Sequence, residues 1–313
     1  MTNFLPEGYL PGIEPAAVGS MSAIAECIRS GRILQGKAVC CDKNHDLYVD
    51  LGGIIGRIPY YDTALGIAEG TTRDVAVISR VGKYIRFVVT DTELDENGRL
   101  RPVLSRAAVQ KRCFAEYLSN LTPGDIIPAK VTHLESFGCF CDIGCGIISL
   151  IPIDAISISR ISHPKDRFFV GENIHVVVKS VEGKRVCLSH KELLGTWEEN
   201  AAKFSVGQTV SGTVRSIESY GIFVELTPNL AGLAERREDI RVGMQASVYI
   251  KNIIPEKMKI KLVLVDAFVP TEFTLPHFDY YRTEGHIDRF LYAPIGCPRR
   301  MESVFDREER ISL

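Results

Sequence analysis

The chain contains short stretches in which hydrophobic and polar residues alternate, and glycines separate these stretches. The alternation is strict at 257–262, which reads Lys-Met-Lys-Ile-Lys-Leu, as is typical of a strand with one buried face. Other short apolar runs occur at 126–131, 174–179 and 185–189, each near Gly, Pro, Asp or Ser. Apolar residues recur at helical spacing only over stretches such as 16–30 and 107–118. The pattern therefore predicts a mostly β protein with short connecting helices.

The strand pattern recurs along the chain at a constant spacing. Four pairs of landmark residues are each 83 positions apart: Gly124 and Gly207, Phe137 and Tyr220, Phe140 and Phe223, and Asp142 and Glu225. An offset shared by four independent landmarks indicates a duplication. A fainter copy lies upstream, where 47–52 matches 139–144, and His45 and Tyr48 fall at the positions of Phe137 and Phe140. The sequence therefore predicts three repeats.

Each repeat contains about five short strands, with a glycine beside an aromatic pair where the second strand must bend. A small closed barrel with exposed aromatic side chains offers a surface on which nucleobases can stack. We therefore expect three tandem five-stranded OB-fold barrels, the first divergent, joined by short helices. The expected domains are an arm and short helix at 1–30, a divergent barrel at 31–105, a linker helix at 106–120, barrels at 121–195 and 196–265, and an aromatic-rich extension at 266–313.

Within the first repeat, a hairpin is expected between 74–78 and 84–89. The acidic stretch 91–98 that follows is expected to be a solvated turn without a function. The middle segment of the second repeat is basic and aromatic, and it contains Arg160 and Arg167. This loop could contact phosphates, or it could pack its phenylalanines and solvate its charges. The single tryptophan, Trp197, is expected to anchor neighbouring domains.

The overall charge is close to neutral. The formal net charge of −2 argues against simple electrostatic binding of nucleic acid, although it does not exclude binding in which stacking provides much of the affinity. The charge is uneven, since residues 201–265 contain nine Lys and Arg against six Asp and Glu. Residues 121–200 contain eight Lys and Arg against ten Asp and Glu.

The remaining composition points away from catalysis, metals and membranes. Nine cysteines in a chain of cytosolic character predict free thiols, and Cys139, Cys141 and Cys145 lack the second pair of ligands that a zinc site requires. There is no phosphate-binding loop and no His-Glu-x-x-His motif. No apolar run approaches the roughly 20 residues of a membrane span, and no secretory signal pattern is present. We therefore expect a cytoplasmic, non-catalytic protein without a cofactor, metal or small-molecule substrate.

The repeats resemble a known family. The opening glycine, the aromatic-Gly-x-aromatic phrase, the following acid and the closing Leu-Ser are similar to the RNA-binding domain named after bacterial ribosomal protein S1. The ending at 186–192, with Trp197 after it, resembles that family in particular. The resemblance covers about 31–265, and the chain looks like the shorter, few-domain relatives of that ribosomal family. It implies a protein that binds single-stranded RNA, in particular mRNA, in translation, with the small ribosomal subunit as a partner.

The resemblance also implies which residues bind RNA. The expected stacking pairs are Phe137 with Phe140, Tyr220 with Phe223, and His45 with Tyr48. The family's basic position before the closing serine corresponds to Arg101, Arg185 and Lys259, and Lys179 and Lys251 complete the candidate set. Repeat one departs from the family because it reads His45-Asp46 where the others have an aromatic residue and glycine.

Two functions remain open from the sequence. The first is a non-catalytic RNA-binding protein that acts in translation. The second is a docking or regulatory module, in which the barrels bind ribosomal or RNA-degrading proteins. The mild acidity of repeat two and the divergence of repeat one favour the second.

Overall fold

The computed structural model describes residues 4–9, 20–183, 185–270 and 278–305. The α-helices are α1 Met21–Ser30, α2 Val75–Ile78, α3 Arg106–Glu116 and α4 Trp197–Ala201. The strands are β1 Leu34–Cys41, β2 Leu47–Asp50, β3 Ile55–Ile58, β4 Tyr84–Leu94, β5 Leu100–Ser105, β6 Ile126–Glu135, β7 Gly138–Asp142, β8 Ile148–Pro152, β9 Asn173–Glu182, β10 Arg185–Ser189, β11 Thr209–Glu218, β12 Gly221–Thr227, β13 Leu230–Ala234, β14 Gln245–Ile254, β15 Lys259–Phe268, β16 Arg289–Leu291 and β17 Glu302–Val304. Short 3-10 turns lie at Tyr60–Asp62, Leu118–Asn120, Ile153–Ala155, Pro164–Asp166, Lys191–Leu194 and Pro255–Lys257.

The strands form three closed five-stranded barrels, which confirms the predicted fold class. Barrel one contains β1–β5, barrel two β6–β10 and barrel three β11–β15, and all three have the same cyclic strand order. In each barrel the fifth strand pairs antiparallel with the fourth and parallel with the third, which closes the sheet. Closure leaves no free sheet edge and encloses a core of alternate side chains.

The hairpin expected at 74–78 was wrong, because Val75–Ile78 is helical. In the closed barrel, strand β4 already pairs with β1 on one side and with β5 on the other. No edge remains for a further strand next to β4. Val77 alone is buried in this segment, and the helix places it in the core of barrel one.

Contacts divide the chain into two compact units. The first contains the described residues up to Leu121, together with Pro128–Lys130 and Asp142–Ile148. Within it, the expected N-terminal arm is bound in place at residues 4–9. Glu7 is buried and accepts hydrogen bonds from the guanidinium of Arg106, with Nε and Oε1 2.7 Å apart. The Phe4 ring stacks on Tyr117.

The second unit contains Thr122–Ile127, Val131–Cys141 and the described residues from Ser149 onward. The described part of its aromatic-rich extension contacts barrels two and three. Near barrel two, His286 bonds to Asp125, with Nδ1 and Oδ1 2.7 Å apart. Near barrel three, Tyr292 and Trp197 enter the same hydrophobic core. Asn229 of barrel three links the segment between barrels two and three to the extension. Its side chain donates hydrogen bonds to the carbonyls of Lys191 and Gly195, and its backbone oxygen accepts one from the Tyr292 hydroxyl.

Among the described residues, no helix combines the length and the apolar character that crossing a membrane requires.

Candidate nucleic-acid interface

Strand registers identify one equivalent row of outward-facing side chains on each barrel. In barrel three the row is Phe223, Leu233 and Lys261, on the second, third and fifth strands. In barrel one it is Tyr48, Arg57 and Val103. In barrel two Leu150 pairs with Cys187, and Phe140 lies on the adjacent second strand. We call the surface around each row the outer face of that barrel.

The outer face of barrel three carries an open aromatic pair. Tyr220 is 67% exposed and Phe223 is half-buried. Their rings are perpendicular, with centroids 6.1 Å apart. Neither ring forms another ring contact within the described part of the chain, so the face of Tyr220 is available for a base.

Cationic side chains lie beside this pair. Lys259 and Lys261 are both exposed and project from the same side of β15, two residues apart. Lys251 is exposed at a bulge of β14 between Ile250 and Asn252. None of these lysines is in an ion pair with another described residue. Lys261 was not predicted from the sequence, although the strict alternation that contains Lys259 contains it as well.

The glycine next to each aromatic pair allows a close approach of backbone. A Cβ on Gly221 would lie 2.6 Å from the carbonyl oxygen of Ala234, and Gly221 has a φ of +153°. A Cβ on Gly138 would lie 2.4 Å from the carbonyl oxygen of Ile151. Any larger residue would push the third strand away, so this contact explains the glycine in the repeated phrase.

Barrel two has the same aromatic arrangement. Phe137 is 55% exposed, and its ring is perpendicular to that of Phe140 with centroids 6.0 Å apart. The His133 ring stacks on Phe140 at 6.3 Å, and its Nε2 lies 2.6 Å from Oε1 of Glu135. The sequence analysis missed His133, because only the fold places strand β6 beside the phenylalanines.

The predicted cations of barrel two lie on its last hairpin. Lys179 on β9 and Arg185 on β10 are both exposed. Arg185 projects from the same side of β10 as Cys187, two residues away, and the register places it opposite Glu182. The carboxylate opposite Arg185 makes this face less cationic than that of barrel three.

On the outer face of barrel one, the charged side chains form ion pairs with one another. Arg57 binds Glu93 on one side, with Nη2 and Oε2 2.5 Å apart, and Asp46 on the other, with Nη1 and Oδ2 2.7 Å apart. Arg101 also binds Glu93 at 2.6 Å, and its guanidinium lies over the Tyr48 ring at 5.5 Å from the centroid. The hydrogen bond from Arg57 lowers the pKa of Glu93 below its ordinary value, although partial burial opposes this. The Tyr48 ring, Arg57 and Arg101 are therefore all in contact with other residues of barrel one.

The structure separates the predicted pair His45 and Tyr48. His45 lies in a turn with a φ of +65°, and its ring packs on Tyr60 at 5.7 Å. Asp46, at the position of Gly138 and Gly221, accepts a hydrogen bond from the Tyr60 backbone nitrogen at 2.7 Å. Glu93 belongs to the stretch that we expected to be a solvated turn, but it connects Arg57 and Arg101. That expectation was wrong for Glu93.

The acid near the end of the second strand has a different environment in each barrel. Hydrogen bonds from the backbone nitrogens of Gly53 and Gly52 lower the pKa of Asp50. Asp142 is buried and accepts hydrogen bonds from the backbone nitrogens of Glu7, Gly144 and Gly146. Burial, and then the charge of Glu7, raise the pKa of Asp142 to about 7.

Glu225 is the third member of this set. It is buried against Arg167 at 2.5 Å and Arg215 at 2.9 Å. Burial opposes ionisation, but the two arginines outweigh it and lower the pKa of Glu225. Arg167 is fully buried in this pair, so it packs rather than reaching solvent. Asp142 and Glu225 therefore hold a loop and two arginines in place inside the protein.

The nine cysteines form no disulfide with one another, and most of them are buried or half-buried. Cys139 and Cys141 lie inside barrel two with their sulfurs 3.5 Å apart. Among the residues that the structure describes, no cluster of His, Cys, Asp and Glu is arranged to hold a metal ion.

Comparison with known proteins agrees with the resemblance seen in the repeats. Residues 120–191 match the family described as the S1 RNA binding domain. The chain is 34% identical over 209 residues to the small ribosomal subunit protein bS1 of Staphylococcus epidermidis, covering 61% of this chain and 52% of that protein. It is 36% identical over 159 residues to the bS1 homolog of Bacillus subtilis, covering 49% and 41%. With bS1 of Staphylococcus aureus the identity is 29% over 271 residues, covering 81% and 66%.

The predicted resemblance to the ribosomal protein S1 family is therefore confirmed. The chain spans about half the length of several of the curated relatives that it matches.

Proposed function

We propose that this chain is a non-catalytic protein that binds single-stranded RNA through the outer faces of barrels two and three. The observation that carries this proposal is the pair of perpendicular aromatic rings, one exposed and one half-buried, at equivalent positions on both barrels. Stacking of a base on an aromatic ring contributes about 1–3 kcal/mol and depends little on sequence. Single strands are preferred, because base pairing hides the faces that would stack.

Two linked faces would bind one RNA more tightly than either face alone. The second face binds within the same complex, so the linkage raises the local concentration of RNA without any new contact. The exposed lysines of barrel three supply the positive charge that follows the phosphate backbone. This combination explains how a chain with a net charge of −2 can bind RNA.

We place this activity in translation, at the small ribosomal subunit and therefore in the cytoplasm. The support for this is the similarity to proteins named small ribosomal subunit protein bS1, together with the match of 120–191 to the S1 RNA binding domain. The RNA would be mRNA, since its unpaired segments present free bases.

A second candidate function, protein docking, is favoured by barrel one. Its outer face is occupied by Arg57, Glu93, Asp46 and Arg101, which pair with one another. Because these charges are compensated, the face offers little to a phosphate backbone. Barrel one would then attach the RNA-binding barrels to a ribosomal or RNA-degrading protein.

The proposal is tested by fluorescence anisotropy with labelled single-stranded RNA. A variant with Phe137→Ala, Phe140→Ala, Tyr220→Ala and Phe223→Ala is compared with the wild type, once circular dichroism shows that it is folded. The control carries Tyr61→Ala and Phe268→Ala, which remove exposed aromatic rings that belong to neither aromatic pair. We expect salt-sensitive binding by the wild type and the control, and a large loss in the fourfold variant. Absence of wild-type binding at low salt would reject RNA binding and favour protein docking.

A further inference from the structure

A groove beside the aromatic pair of barrel three is built from four separate parts of the chain. It has a volume of about 370 Å³, and Tyr220 and Phe223 form one wall. Arg160, from the loop after the third strand of barrel two, and Arg299, from the C-terminal extension, contribute to its lining. Trp197, which is buried, also contacts the groove. Its volume is at the lower end of the range of about 300–1,000 Å³ that is common for ligand pockets.

The arginines of the groove differ in how their charge is compensated. Arg215 is bound by Glu225 at 2.9 Å and by Asp166 at 3.6 Å, so its charge is already paired. Arg160 and Arg299 are both exposed, and neither is in an ion pair within the described residues. The neighbouring Arg300, by contrast, binds Glu302 at 2.7 Å.

One carboxylate, Glu218, lies among the described residues that line the groove, and it is exposed. The two uncompensated arginines therefore outnumber the free acids. An arginine guanidinium can donate two parallel hydrogen bonds to a phosphate, which makes it well suited to bind this group. The aromatic pair can stack on the base of a nucleotide, and the neighbouring arginines can bind its phosphate.

We infer that this groove binds one nucleotide of a single-stranded RNA, with its base on Tyr220 and Phe223 and its phosphate on Arg160 and Arg299. This inference rests on the proposed function and makes it more specific. The RNA site of barrel three then includes residues from outside that barrel. The loop of barrel two and the C-terminal extension both become parts of the binding surface.

The test uses the full chain with Arg160→Gln and Arg299→Gln together. The matched control carries Arg241→Gln and Arg282→Gln, which remove the same charge from exposed arginines that do not line the groove. Binding of a labelled oligouridylate is measured between 0.1 M and 1 M salt. Two lost phosphate contacts should reduce the slope of log K against log salt by about 1.4, which corresponds to about 25-fold weaker binding at 0.1 M salt relative to 1 M.

Trp197 gives a second, local measurement, since the chain has a single tryptophan and it lines the groove. RNA should change Trp197 emission in the wild type and in the control, and the change should be lost in the groove variant at the same RNA concentration. Thermal unfolding should be the same for all three proteins, because the replaced arginines are exposed.

The outcomes separate this inference from the proposed function. If the groove variant keeps the wild-type slope and affinity while the fourfold aromatic variant loses binding, the groove assignment is wrong and the proposed function stands. RNA binding without any change in Trp197 emission would likewise reject the groove. If the wild type binds no RNA, both proposals fail.

Discussion

Barrels one and three have the same strand order but opposite outer faces. In barrel three the row is Phe223, Leu233 and Lys261, so a half-buried ring lies beside apolar surface and an unpaired cation. In barrel one, Arg57 stands at the position of the leucine and is held by two carboxylates. The barrel fold therefore provides the position of the face but not its chemistry. Three positions differ between the two faces. They are Asp46 or Gly221 beside the aromatic pair, Arg57 or Leu233 at the centre of the row, and Glu93 or Ile254 opposite the basic residue.

The charge balance shows why this difference matters for binding. Each cation of the barrel one face has a carboxylate partner within 2.7 Å. A phosphate would have to displace an existing pair in order to bind there, and the exchange would yield little free energy. At the equivalent place in barrel three, Ile254 lies opposite Lys259, so the lysine has no acid to release.

The largest effect is expected when a residue of barrel one replaces its equivalent in barrel three. Gly221→Asp introduces the aspartate of barrel one where a Cβ would lie 2.6 Å from a carbonyl oxygen. We expect the free energy of unfolding of barrel three to fall by about 4 kcal/mol, as for other severe steric changes. Urea denaturation monitored by Trp197 fluorescence measures this. Ser219→Asp, at an exposed position in the same turn, should have little effect, and an equal loss in that control would contradict the steric explanation.

Removing the central arginine of barrel one tests the closed face. Arg57→Leu copies the residue of barrel three but leaves Asp46 without an ion-pair partner and Glu93 with Arg101 alone, and both carboxylates are partly buried. We expect a loss of about 2 kcal/mol in stability, less than the roughly 3–5 kcal/mol for a fully buried ion pair, because these side chains are only partly buried. Adding Glu93→Leu should restore part of this loss. Equal unfolding midpoints for Arg57→Leu and the wild type would show that the pairs contribute nothing.

Single aromatic substitutions compare the two faces directly in RNA binding. Phe223→Ala should weaken binding by about 1–2 kcal/mol, which is within the range for loss of one stacked base. Tyr48→Ala should leave the affinity unchanged, because Arg101 already lies over that ring. Anisotropy titrations at one salt concentration measure both. A similar loss in the two variants would show that barrel one binds RNA as well.

Asp142 and Glu225 should give the stability of the protein opposite dependences on pH. Asp142 has a pKa of about 7, above the ordinary value of 3.8, so its contribution to stability is complete below about pH 4 and is lost as the pH rises through 7. The pKa of Glu225 is lowered, so its contribution is present above the ordinary value of 4.5 and is lost as the pH falls further. Urea midpoints between pH 3 and 8 should show these opposite slopes, with Asp142→Asn removing the first and Glu225→Gln the second. Unchanged slopes in both variants would refute the assignment.

Much of the fold could be predicted from the sequence because it depends on local patterns. The period of two defines strands, and the offset between repeats shows that the strands recur as a unit. The exposed pairs Phe137 with Phe140 and Tyr220 with Phe223 follow from the glycine that each turn requires. The failed hairpin at 74–78 shows the limit, since an apolar run reads as a strand unless the closed barrel is known to have no edge left for it.

The charged part of the candidate site could not be predicted in the same way. Arg57 and Glu93 are 36 residues apart, and only strand register brings them together. Arg167 and Arg160 occur in one basic loop, yet the first is buried against Glu225 and the second is exposed. Sequence spacing contains no information about which charge meets a partner in space.

The bond between Asp125 and His286 has a consequence for the order of events during synthesis. The two residues are 161 positions apart, and backbone hydrogen bonds on either side of them join the same segments. At a translation rate of about 5–20 residues per second, about 10–30 seconds pass between the addition of these residues to the growing chain. Both barrels are complete in sequence, at Ser189 and Phe268, before the chain contains His286, which binds Asp125 of barrel two, and Tyr292, which enters the core of barrel three. The second unit therefore reaches its final structure only after the extension has been made, however early its barrels begin to fold.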